Sequence, residues 1–279
     1  MGVENNKKSE KDVVRSTQQP NTITTLKHDF ESLGVKPGLV IIMHGSLSKI
    51  GWTVGGPVAV IKALMKILTS EGTLIMPTFS GDNTDPSSWE NPPVPESWWD
   101  TIRNEMPAYH PEITPTRGMG VIVDTFRNWP NVIRSNHPMS SFAAWGKHAE
   151  FIIKNHELTA DLGEDSPLAR IYELNGKILL VGVSHENNSS LHLAEYRSDY
   201  PGKQYKLNGS AMLIDNERNW VQWKELDLNI DDFEQLGKDF ETKIDYNPGK
   251  VGLAETRLLS QRGIVDFAIE WFEKNRKAI

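Results

Sequence analysis

Residues 184–198 read SHENNSSLHLAEYRS and follow the apolar run 178–183. The stretch holds His185, Glu186, His192 and Glu195, so acid–base chemistry, metal binding and a purely structural helix are all open to it. With Ser189 or Ser190 as helix cap, His192 falls in the first turn, where the positive end of the helix dipole disfavours an imidazolium. A neutral imidazole is what a general base requires near pH 7. Glu195 is three residues further along the same helix face, and Glu186 stands in the preceding loop. Either carboxylate can hold one ring nitrogen and leave the other free to take a proton. The two histidines are seven residues apart and match no zinc signature such as His-Glu-x-x-His, although the carboxylates would complete a site. The competing reading is a capped amphipathic helix that buries Leu191 and Ala194 and solvates its charges.

A second segment occupies the same kind of place. HGSLSKIGWTVGGP, residues 44–57, joins an apolar strand to a helix. Loops at the C-terminal ends of strands in open α/β sheets are where ligands bind. Its glycines, its hydroxyls and the free amides of the next helix can hold an anion such as a phosphate. The spacing is neither the dinucleotide fingerprint nor a Walker loop. A long structural loop with glycine at its turns fits equally, and His44 at the strand exit is read either as a ligand contact or as a buried core histidine.

Positioning these segments requires strands and helices around them. The run LVIIMHGS (39–46) reads as a buried strand, PVAVIKALMKILTSEG (57–72) as a helix opened by proline and stopped by glycine, and GTLIMPTFS (72–80) as the next strand. Such a strand–helix–strand unit implies parallel pairing with a right-handed crossover. KILLVGV (177–183) is a further buried strand. Helices are expected over about 22–34, 118–128, 146–157 and 258–276, and after Ser166, with an antiparallel region over 210–228. Residues 81–118 are rich in Pro and Trp and read as a long irregular insertion, which inside a compact domain is usually functional. The expected class is α/β (or α+β): a mixed, largely parallel central sheet flanked by helices, with that insertion and a C-terminal antiparallel β region. Residues 1–20 are polar and lack periodicity, so they are expected to form a flexible N-terminal tail before a single domain over 21–279.

Composition narrows the chemistry. The chain has no cysteine, which removes thiol nucleophiles, disulfides and thiolate metal sites. A Gly-x-Ser-x-Gly elbow is absent as well. The net charge of −7 disfavours general nucleic-acid binding and suits a cationic small substrate. No apolar run is long enough to span a bilayer, and the N-terminus lacks the apolar core of a signal peptide. A cytoplasmic protein is expected.

Six stretches, in this order along the chain, resemble the aminoglycoside 3-N-acetyltransferase family, antibiotic acetyltransferases distinct from the GNAT fold. They are HGSLSKIGWTVGGP, GTLIMPTFSGDNTDPSSWENPPVP, MPAYHPEITPTRGMG, RSNHPMSSFAAWG, LGEDSPLARIYELNGKILLVGVSHENNSSLHLAEYR and the C-terminal VGLAETRLL with VDFAIEWF. The resemblance runs from about residue 22 to residue 272. It implies direct transfer of acetyl from acetyl-coenzyme A to an amine, typically the 3-amino group of a 2-deoxystreptamine antibiotic, with the coenzyme against the 44–57 segment.

The catalytic histidine of the family's Leu-His-x-x-Glu segment falls on His192, with Glu195 and Glu186 as its partners. Coenzyme A is anionic, so Arg117, Lys49 and the amides around Val54, Gly55 and Gly56 are the implied phosphate contacts, with His44 beside them. Ser46, Thr78 and Ser141 would bond the pantetheine amides. Asp82, Asp85 and Glu96 would attract a polycationic acceptor. Two loops depart from the family's usual wording: His-Gly-Ser at 44–46, and Glu-Asn-Asn-Ser-Ser at 186–190. No metal, nucleic acid or membrane partner is implied, and the oligomeric state stays open, a homodimer included. The rival expectations are a coenzyme A- or aminoglycoside-binding protein of the same fold without turnover, and a His/carboxylate metallohydrolase.

Overall fold

The computed structural model of the protein describes residues 9–277. Its strands are β1 (Val40–Gly45), β2 (Thr73–Pro77), β3 (Ile133–Arg134), β4 (Phe142–Gly146), β5 (Lys177–Val181), β6 (Tyr205–Ile214), β7 (Glu217–Leu226), β8 (Gly249–Val251) and β9 (Ala254–Ser260). Seven of them form one sheet in the order β3-β4-β2-β1-β5-β9-β8. The centre is parallel: β1 pairs with β2 and with β5. The outer strands β4, β3, β9 and β8 pair antiparallel. The sheet is therefore mixed, with its parallel part where the two chemistry-bearing loops leave the strands.

Side-chain alternation along the central strands builds a core on each face. Val40 and Ile42 of β1, with Ile178 and Leu180 of β5, face a layer that contains Leu168, Leu191, Leu236 and Phe272. Ile41 and Met43, with Leu179 and Val181, face Leu26, Phe30, Leu64 and Phe126. Helices Pro167–Glu173, Ser190–Arg197, Phe233–Lys243 and Gln261–Asn275 thus cover one face, and Ile23–Ser32, Gly56–Leu68 and Val121–Arg127 the other. The next residue of β1 in the Val40–Ile42 series is His44, which the alternation turns toward the layer that carries His192.

β6 and β7 form a separate hairpin, paired from Tyr205↔Leu226 to Ile214↔Glu217. Asp215 and Asn216 make its turn with φ of 52° and 65°, the left-handed pair that a two-residue hairpin demands. This is the antiparallel region expected over 210–228, starting five residues earlier than the alternation suggested.

Residues 1–8 of the expected tail lie outside the described residues. Within them, Glu10–Ser16 are a helix rather than an irregular segment: Ser9 and Asp12 form a reciprocal capping box, and Val13 is buried. Beyond that helix, Trp52 N–H donates to Thr17 Oγ1 at 2.8 Å. Among the described residues, no helix is long and apolar enough to cross a membrane.

Candidate active site

The loop after β5 and the helix that follows set His192. Ser184 accepts Glu186 N–H to start a short 3-10 turn, His185–Asn187. Asn188 Oδ1 then accepts Ser190 N–H at 3.2 Å, so an asparagine supplies the side-chain cap expected from Ser189 or Ser190. Helix Ser190–Arg197 buries Leu191, Leu193 and Ala194 and places His192 in its first turn. Gln261, at the start of the last helix, donates to Ser190 Oγ at 3.2 Å and to Leu168 O at 3.1 Å, which pins the helix start against its neighbours.

His192 Nδ1 and Glu195 Oε2 are 2.5 Å apart. Glu195 has no exposed surface. With the carboxylate receiving the Nδ1 proton, Nε2 is the nitrogen left to accept another. The imidazole also lies 4.9 Å, centroid to centroid, from Phe233.

His192 forms part of the wall of a cavity of about 500 Å³, bounded also by Phe79, Met139, Ser140, Asp161, Glu225 and Asp231. Asp161 accepts from Ser140 Oγ at 2.6 Å and from Tyr196 OH at 2.7 Å. Glu225 accepts from Asn208 Nδ2 at 2.9 Å and Trp223 Nε1 at 2.7 Å. Burial, reinforced by the charge of Asp161, pushes the Glu225 carboxyl up to about 7. This space suits a small polar molecule bearing positive charge beside a base.

On the other strand exit, Gly55 and Gly56 adopt φ of 79° and 55°, open to glycine without strain, and start helix Gly56–Leu68. Val54 and Gly55 are exposed, but Val54 N–H donates to Asn21 O and Gly56 N–H to Thr53 O, both at 2.9 Å, so two of the three amides expected to contact phosphate are already engaged. Lys49 is exposed nearby, and Ser46 Oγ is 3.2 Å from Ser48 Oγ. The region can receive an anion. Among the described residues, no group of three or more His, Asp or Glu side chains is placed to hold a metal ion.

A profile of the family described as Aminoglycoside 3-N-acetyltransferase matches residues 42–273. The chain belongs to that family. The acetyltransferase is 46% identical over 267 residues to the SPbeta prophage-derived aminoglycoside N(3')-acetyltransferase-like protein YokD of Bacillus subtilis (strain 168), covering 95% of this chain and 97% of that protein. The crystal structure of YokD matches with a TM-score of 0.92 over 95% of this chain and 98% of that one. A structure described as AAC-IIIb binary with CoASH matches at 28% identity and a TM-score of 0.83, covering 94% of this chain and 99% of that one. AAC-VIa bound to sisomicin matches at 28% identity and a TM-score of 0.84, covering 93% of this chain and 100% of that one.

Several side chains expected at the acetyltransferase site are engaged elsewhere. Thr78 and Ser141 are fully buried. Their hydroxyls are 3.0 Å apart, and both accept from Arg134 Nε, at 3.1 and 2.9 Å. They serve a buried guanidinium rather than pantetheine amides. Asp85 is buried and takes a two-pronged bond from Arg103, at 3.0 and 2.9 Å, while also capping the turn Pro86–Ser88. It is an anchor of the irregular insertion and not a lure for cations. Arg117 pairs with Asp82 and donates to Asn91 O, so each expected charge is offset by the other.

Glu96 is exposed on the turn Glu96–Trp98, away from the cavity walls. Glu186 is exposed too, and its side chain makes no hydrogen bond to His192, whose carboxylate partner is Glu195. His44 is buried, with Nε2 lacking a protein partner. Burial, then the nearby His192, pushes it down to about 3, so it is a neutral ring behind the site rather than an open contact.

Sequence reasoning missed the acidic cavity wall. Glu225 had a signal: in a strand it shares a face with Trp223, which points it inward. Asp161 had none, because it sits in an irregular stretch where no periodicity assigns a side.

Proposed function

We propose that this acetyltransferase moves acetyl from acetyl-coenzyme A directly to an amine of an aminoglycoside or a related polycationic amine, with His192 as general base and Glu195 orienting it. The observation that carries this reading is the 2.5 Å contact between His192 Nδ1 and a fully buried Glu195, beside a cavity walled by Asp161, Glu225 and Asp231. The coenzyme- and sisomicin-bound relatives supply the two substrate classes by similarity.

The acidic wall draws a polycation out of water and holds an ammonium near the ring. His192 Nε2 takes one proton from that ammonium, which frees the nitrogen lone pair. The nitrogen bonds to the thioester carbon and loses its second proton to solvent, and collapse of the tetrahedral intermediate breaks the carbon–sulfur bond. His192 can return its proton to the departing thiolate, so the ring ends as it began. A positioned base of this kind supplies about 10² to 10⁴ in rate. Lys49, Ser46 and the Gly55 amide are the groups that would hold the coenzyme, since the Val54 and Gly56 amides are engaged by Asn21 O and Thr53 O. We assign the activity to one domain over residues 21–279, working in the cytoplasm.

The test is release of free coenzyme A thiol by the purified protein with acetyl-coenzyme A and a panel of aminoglycosides and simpler diamines. The reading expects release that depends on the amine and a product acetylated at one nitrogen. Coenzyme binding without thiol release across the panel would overturn it in favour of a binding protein.

A further inference from the structure

Glu195 holds more than His192. Its Oε1 accepts from Arg276 Nη1 at 2.6 Å and from Asn229 N–H at 3.1 Å, while Oε2 faces the imidazole. Arg276 caps the C-terminus of helix Gln261–Asn275, just beyond residue 273 where the family profile ends. All three of its guanidinium nitrogens are engaged. Nε and Nη2 reach the two oxygens of Asp232 at 2.7 and 2.8 Å, and Nη2 also donates to Asn229 O at 2.8 Å. The group lies 3.9 Å from the Phe272 ring centroid and 4.7 Å from that of Tyr200. Forked, stacked geometry of this kind belongs to arginine and is not reproduced by lysine.

A carboxylate with no exposed surface needs a cation or it will not stay ionised. If Arg276 were absent, the group in contact with Glu195 that can become a cation would be His192. A ring held as imidazolium for that purpose cannot take a proton from the acceptor. Arg276 also ties down Asn229 and Asp232, on either side of the cavity-lining Ile230 and Asp231.

We propose that Arg276 is a positioning residue: it serves as the counter-ion of Glu195 in place of His192, and it latches the 229–232 loop of the cavity to the catalytic pair. The proposal rests on His192 being the base. The other ionisable groups facing the pair are His44 from β1, Asp232, Tyr200 and Lys203 after the catalytic helix, and Asp161, Glu225 and Asp231 of the cavity wall. The Lys203 ammonium is spent on the carbonyls of Tyr196 and Ser198, at 2.8 and 2.9 Å.

The experiment is kcat/KM against pH for wild type, Arg276→Met and Arg276→Lys, with coenzyme A binding measured by calorimetry. Arg276→Met is expected to lose about tenfold or more at pH 7 and to have its acid limb displaced upward by about one pH unit, with activity recovering at higher pH. Arg276→Lys keeps the charge, so its limb stays near that of wild type while the acceptor KM rises. A folded Arg276→Met with its limb at the wild-type position overturns the proposal.

Glu195→Gln and the Glu195→Gln/Arg276→Met double variant, which removes both buried charges, keep the question decidable if the single variant does not fold. The limb of the double variant is expected to lie above that of Glu195→Gln, because the guanidinium's positive charge beside the ring is gone; equal limbs overturn the proposal. Unchanged turnover in His192→Ala would defeat the underlying reading instead, which separates the two failures.

Discussion

Gly237 lies against the imidazole of His185 so closely that a Cβ placed there would come within 2.0 Å of His185 Cγ and 2.2 Å of Cδ2. That contact locks helix Phe233–Lys243 to the loop that leads into the catalytic helix. His185 Nε2 is 2.9 Å from Glu241 Oε1, which also accepts from Arg257 Nε at 2.5 Å, and His185 N–H donates to Glu234 Oε2 at 3.1 Å. The histidine is therefore a structural pin and not a second catalytic ring. Gly237→Ala must displace ring or helix, and is expected to cost about 1–3 kcal/mol despite the better helix propensity of alanine. Urea unfolding of wild type and variant measures this; equal midpoints would show that the packing can yield.

Glu225 makes acceptor binding and stability depend on pH in opposite senses. Its unfolded carboxyl ionises near 4.5 and its folded one near 7, so the protonated form is favoured by folding. The stability it contributes is complete below pH 4.5 and is lost as pH rises through 7, about 3 kcal/mol in all. Glu225→Gln should be more stable than wild type at pH 8 by an amount of that order, and the gap should close toward pH 4.5. A cationic acceptor favours the ionised carboxylate, so wild-type acceptor affinity should rise from pH 6 to pH 8 and that of the variant much less. Calorimetric titrations at the two pH values check both halves.

Buried histidines act the other way. Burial holds His44 near 3 and His137 near 4, and lowers His156 and His185 as well. His137 Nδ1 accepts Ser140 N–H at 2.9 Å and Met139 N–H at 3.2 Å, contacts that a proton on that nitrogen would break. For groups depressed below their unfolded value of 6.5, the contribution is present above pH 6.5 and is lost as pH falls through the folded values. His44 and His137 each cost about 2 kcal/mol at pH 5, against which Glu225 works in part. Unfolding near pH 5.5 should show a net uptake of at least about one proton, read from the slope of unfolding free energy with pH.

Arg134 supplies a contrasting prediction about the coenzyme. Besides Thr78 and Ser141 it donates to Ser80 Oγ at 2.7 Å and to Thr114 O at 2.6 Å, joining the sheet edge to the irregular insertion. Ser141→Ala removes an acceptor from a buried cation. It should lower stability by about 1–3 kcal/mol and leave the KM for acetyl-coenzyme A within about twofold. A raised KM with unchanged stability would return Ser141 to the coenzyme site.

The parts of this molecule written locally were readable from the chain. Apolar runs announced β1, β2 and β5, Pro57 and Gly72 bracketed a helix, and the His192-to-Glu195 spacing put both on one helical face. The Phe142–Gly146 strand was missed because two of its five residues are alanines with little strand preference; its pairing with β2 decides its state. The site followed the same division. His192 and Glu195 meet because they are neighbours on a helix, whereas Asp161, Glu225 and Arg276 reach the same region from distant segments. Pairings such as Asp85 with Arg103 or Arg117 with Asp82 are equally invisible in sequence, so charges that look free along the chain turn out to be spent.

The most direct test of the central claim is kcat/KM for an aminoglycoside acceptor at pH 7.5 in His192→Ala against wild type, with both proteins shown to bind coenzyme A equally. The account predicts a loss of at least about 10²-fold in the variant. Turnover equal to wild type would contradict it and remove His192 from the reaction.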